Sequence, residues 1–93
     1  MDCATVLFSA HVVRRMYERG IDMDDLLEVI RGGEPIEEYP EDVPFPSRLV
    51  LGYVRGRPIH AVVARDAETS RCFAVTVYEP EPGRWSPDFR RRR

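Results

Sequence analysis

The sequence predicts an α+β fold of two layers, with two N-terminal helices packed on an antiparallel sheet of about four strands. Three observations carry this reading. Apolar residues recur at helical spacing from Val12 to Ile30. From Ile36 onward the period changes to two. Gly32-Gly33 stands between the two regimes. With 93 residues there is room for one domain, expected over 1–89, followed by a short basic tail at 90–93 that is expected to fray. An apolar share of 43% against 32% charged residues fits a folded chain and excludes a disordered one. No apolar run nears the roughly 18 residues of a bilayer span, so no membrane partner is expected. Met1 to Ala10 lacks the basic-then-apolar pattern of a secretory signal, which makes the cytoplasm the expected location.

Each element has a local cause. Ser9 can cap the first helix, with Phe8 stapling before it and Gly20 ending it. On that helix Val12, Val13, Met16 and Tyr17 are expected to form the buried face, opposite His11, Arg14, Arg15, Glu18 and Arg19. Asp22 caps a second helix, where Met23, Leu26, Leu27 and Ile30 share a face and acids favour the positive end. Gly32-Gly33 is expected to end it as a left-handed cap. The short Gly20-Ile21 link implies helices folded back on one another.

The strands are expected at 35–39, 48–55, 58–66 and 71–79, with a turn-rich loop from Pro40 to Ser47. A hairpin turn at Gly56-Arg57 would set Tyr53 opposite His60 and Leu51 opposite Val62. A four-residue loop at 67–70 puts Phe73, Val75 and Val77 on the His60 face. A loop one residue different puts Thr76 and Tyr78 there, and the sequence leaves both open.

Charge is segregated. All 14 basic residues are arginine, and lysine, asparagine and glutamine are absent. The formal net charge of −2 hides a balance of −8 from Asp22 to Asp42 and +4 from Arg84 to Arg93. One face can therefore attract a polyanion that the whole would repel. Cys3 and Cys72 form no CxxC pair and are read as small buried or fraying residues rather than a disulfide framework. A zinc site from Cys3, His11, His60 and Cys72 fails on spacing, because no two of them form a local chelating pair.

Several stretches carry a resemblance. Phe8-Ser9-Ala10-His11, Arg14 through Ile21, Gly33 through Pro40, Arg57 through Val62 and Thr76 through Pro80 resemble a family of small bacterial proteins catalogued as domain of unknown function family 4258. The likeness runs over roughly residues 5 to 86. Members are similar to RelE-like and colicin-like ribonucleases, metal-independent toxins whose partner is an antitoxin protein. The resemblance therefore implies an endoribonuclease of toxin–antitoxin type that uses no cofactor.

Such chemistry needs a base for the 2′-hydroxyl proton, an acid for the leaving 5′-oxygen and a cation for the charged phosphorane. Histidine suits the first two tasks and arginine the third. The candidates are His11 and His60 for proton transfer, Thr76 and Tyr78 in support, and Arg14, Arg15 and Arg19 for phosphate. His11, Arg15 and Arg19 stand at i, i+4 and i+8, on one edge of the helix. The same residues also fit plainer roles, a solvated helix face for the row and a buried, hydrogen-bonded ring for His60. The alternative function is a non-catalytic interaction module that binds a protein or a second copy of itself through the acidic segment and the sheet face. RNA binding without scission, through the arginine tail, is a third reading.

Overall fold

Ser9 is extended, and its hydroxyl accepts a 3.2 Å hydrogen bond from the Val12 N–H, which starts helix α1 (Ala10–Arg19). Gly20 ends it with a positive φ of 65°, a left-handed residue that returns the chain toward the sheet. Asp22 caps α2 (Met23–Gly32) by accepting from the Asp25 N–H at 2.8 Å. The computed structural model describes all 93 residues. Strand β1 (Thr5–Phe8) precedes the helices; β2 (Glu34–Tyr39), β3 (Ser47–Val54), β4 (Arg57–Asp66) and β5 (Arg71–Tyr78) follow.

Three helix expectations change. Only Val12 and Met16 of α1 are buried, while Val13 and Tyr17 are exposed, Tyr17 at 89%. The helices were expected to fold against each other; instead α1 lies on β5 and α2 on β3 and β4. A helix resting on a flat sheet needs only a narrow i, i+4 stripe, so the residues one step further round stay in solvent. Gly33 is also no left-handed cap: its φ is −75°. Glycine is required there by space, since a Cβ would collide with the Val29 carbonyl and the Val50 side chain.

The expected sheet of about four antiparallel strands is corrected to five strands in a mixed sheet, ordered β1-β5-β4-β3-β2, with β1 parallel to β5; the α+β class stands. Thr5–Phe8 is not among the expected strands, Phe8 alone being expected to staple the first helix. A four-residue edge strand has no turn to announce it, and its parallel partner lies more than sixty residues away. That pairing sets Val6 beside Cys72 and brings Cys3 within bonding range. Cys3 and Cys72, expected to be unpaired, form a disulfide between Cα atoms 5.6 Å apart.

The β3–β4 turn falls at Arg55-Gly56, whose φ angles of 49° and 81° are the two positive values of a primed hairpin turn. His60 therefore pairs with Leu51, not Tyr53. The register moves by two residues, so the expected faces survive. Between β4 and β5 the four-residue loop holds, with Ala64 opposite Phe73. A bulge then inserts Val75 and sets Thr76 opposite Val62 and Tyr78 opposite His60. One face of the sheet, carrying Val50, Ile59, Ala61, Val63 and Val77, buries against the helices. Fully burying a side chain of this kind contributes roughly 1.5–3 kcal/mol. The opposite face carries His60 and is crossed by the chain after β5, a strap of residues 79–93. Trp85 of the strap is buried, and Trp85 and Arg92 form a short bridge across it.

Candidate functional site

Helix α1 begins where β1 ends and runs beside the far half of β5. At its start the His11 ring is exposed, with Nε2 3.5 Å from the Thr76 hydroxyl, the outer limit of a hydrogen bond. At its end Arg19 lines a cleft with Tyr78 and Glu79. Arg15 stands on the same stripe between them, so the row spans about 12 Å of helix. Arg14 lies off the row, about 60° round the helix. All three arginines are exposed and none enters an ion pair.

His60 belongs to a different environment. It is 0% exposed, with Trp85 edge-on at 4.4 Å between ring centroids and Tyr78 edge-on at 5.3 Å. Its Nε2 lies 2.9 Å from the Phe89 carbonyl, which can only accept, so Nε2 carries the proton. Nδ1 is then a bare lone pair and accepts the Tyr78 hydroxyl at 3.2 Å. Burial pushes the imidazole below the ordinary histidine value; the bond to Phe89 opposes that and Arg92 reinforces it. Burial also pushes the Tyr78 hydroxyl above its ordinary value, so it stays protonated. His11 with Thr76, and His60 with Tyr78, thus form two couples. Thr76 and Tyr78 are two residues apart on β5, roughly 7 Å. The histidines do not share an open hollow, because the strap covers the second.

Two of the closing arginines, Arg90 and Arg92, are engaged by the acidic segment. Arg90 pairs with Glu34 of β2 (Nη2 to Oε1, 3.1 Å) and with Asp88. Arg92 reaches Glu37 at 3.2 Å while lying 4.7 Å over the Trp85 ring. Between the end of α1 and the strap lies the cleft of about 310 Å³ that holds Arg19, Tyr78, Glu79, Glu81, Arg84, Trp85 and Arg92. The arginine tail, with Arg84 and Trp85 beside it, enters the sequence reading as a grip on RNA phosphates, but nothing there sets Arg84, Trp85 and Arg92 against Arg19 and Tyr78. The signal available to find them is Trp85 itself, a large apolar ring within a charged tail.

Two other concavities lack this chemistry. The largest, about 720 Å³ on α2, sets Arg31 among Asp24 and Glu28. A cleft of about 270 Å³ on the outer sheet face is mostly apolar, lined by Val43, Pro44, Phe45, Phe73 and Val75 among others. No three His, Cys, Asp or Glu side chains gather where they could hold a metal ion. No helix is long and apolar enough to cross a membrane.

No curated protein and no solved structure matches the chain. Residues 8–79, which hold the α1 row, His60 and both β5 hydroxyls, match the family model described as "Domain of unknown function (DUF4258)", and the chain belongs to that family.

Proposed function

We propose that this chain is a metal-independent endoribonuclease of the RelE-like toxin type, holding RNA along the rim between α1 and β5. The observation that carries the reading is the helix row of His11, Arg15 and Arg19, with His11 beside Thr76, Arg19 in one cleft with Tyr78, and both guanidiniums free of carboxylate partners. His11 takes the 2′-hydroxyl proton as the 2′-oxygen bonds to phosphorus. Arg15 and Arg19 hold the charge of the phosphorane. The bond from phosphorus to the 5′-oxygen then breaks, and that oxygen takes a proton from solvent, while Tyr78, its own proton held by His60, lines the site. The proton collected at His11 passes to solvent, which restores the base and balances the proton given to the 5′-oxygen. His60 touches no substrate in this scheme and acts as a positioning residue that fixes the Tyr78 ring. The natural partner is an antitoxin protein.

The test is cleavage of RNA in EDTA. A 2′,3′-cyclic phosphate end is expected, with a rate loss of roughly 10²- to 10⁴-fold in His11→Ala. Unchanged cleavage in a folded His11→Ala protein removes the assignment. A second reading, a non-catalytic module that binds a protein or its own copy, is favoured by the sealed His60 and the open apolar cleft at Phe45 and Phe73. It expects intact RNA in the same assay.

A further inference from the structure

The cleft beyond Arg19 keeps a positive charge once its internal pairs are removed. Glu79 is held by Arg57 at 3.0 Å and Glu81 by Arg84 at 3.4 Å. Arg92 is held by Glu37 and lies over the Trp85 ring. Arg19 alone has no carboxylate. The negative end of α1 would ordinarily repel an anion at this place. Here it is covered: Arg57 donates to the Arg19 carbonyl at 2.7 Å and Arg55 to the Gly20 carbonyl at 3.4 Å. About 310 Å³ is at the small end of ligand sites, enough for a phosphate with one nucleoside and too little for a duplex.

We infer that this cleft binds the phosphate monoester of a nucleotide, the phosphorylated end of an RNA strand, with Arg19 as its principal contact. The inference rests on the α1 row being an RNA track, since that track ends in the cleft. A terminal phosphate carries more charge than the diester of an internal linkage, which suits a guanidinium with no other partner.

Trp85 is the only tryptophan of the chain and packs against Arg92 at the cleft wall, so it reports occupancy. Uridine 3′-monophosphate, inorganic phosphate and uridine are each titrated against the full chain, following Trp85 emission and, in parallel, heat by calorimetry. The monophosphate is expected to bind saturably and tighter than free phosphate, and uridine not at all. Arg19→Ala should weaken binding roughly tenfold or more, the loss of a charge-assisted hydrogen bond. Arg71→Ala, on the exposed start of β5, should leave it unchanged.

Absence of saturable binding in both readouts overturns the inference, as does equal affinity in a folded Arg19→Ala protein. Free phosphate binding as tightly as the nucleotide overturns the strand-end assignment. The two proposals fail separately. Cleavage lost in His11→Ala with a silent cleft sinks only the phosphate site, and a saturable cleft with RNA left whole sinks only the nuclease.

Discussion

The His60 ring donates from Nε2 to the Phe89 carbonyl and accepts the Tyr78 hydroxyl at Nδ1, so both nitrogens are engaged while the ring is neutral. Burial lowers its proton affinity in the folded state relative to the unfolded chain. Below the unfolded histidine value, near 6.5, the unfolded chain binds the proton first. This group's contribution to stability is therefore complete above that pH and is lost as pH falls toward the folded value. Urea denaturation from pH 7 to 5 should show stability falling, by at most about 1.4 kcal/mol per pH unit from this residue. His60→Gln should flatten that slope, and an equal slope in the variant would sink the argument. The same burial assigns His60 to holding Tyr78 in place and leaves His11 as the imidazole open to a ligand.

At the scale of elements, α2 enters β2 through a glycine that no other residue can replace. Gly33 sits under Val50 and against the Val29 carbonyl, so a methyl group there forces the helix off the sheet. Gly33→Ala should cost about 1–3 kcal/mol in urea denaturation, as overpacking does. Gly32→Ala, where a Cβ meets nothing within 4 Å, is the matched control and should be neutral or slightly stabilising. Equal effects at the two positions would refute the steric account. The β5 bulge matters in the same way for function. By inserting Val75 it turns Thr76 and Tyr78 to the face that His60 occupies. Without it, Val75 and Val77 would stand there.

For the whole molecule, the segregated charge is spent in part internally. The +4 of the closing segment meets the −8 of residues 22–42 through Arg90 with Glu34 and Arg92 with Glu37. Arg90 and Arg92 are thereby committed to the sheet, and of the arginines without a carboxylate partner three stand together on α1. Binding of a single-stranded oligonucleotide should then engage only two or three phosphates. Its affinity should fall with salt at a log–log slope of about −1.4 to −2, and Arg15→Ala should reduce that slope by about 0.7. A much steeper slope, insensitive to Arg15, would return the grip to the tail.

Local chain chemistry already accounts for both helices and their caps at Ser9 and Asp22, the four longer strands, and the polar edge His11-Arg15-Arg19, because capping, periodicity and turn preference act within a few residues. It names His60 and Tyr78 as well, without saying whether they meet water. Pairing of β1 with β5, the Cys3–Cys72 bond, the bulge at Val75 and the seating of Trp85 over His60 all join positions distant along the chain. Such contacts depend on which surfaces remain to be covered once the sheet has formed. No neighbour in sequence records that, and it is why the fate of the second histidine had to wait for the assembled fold.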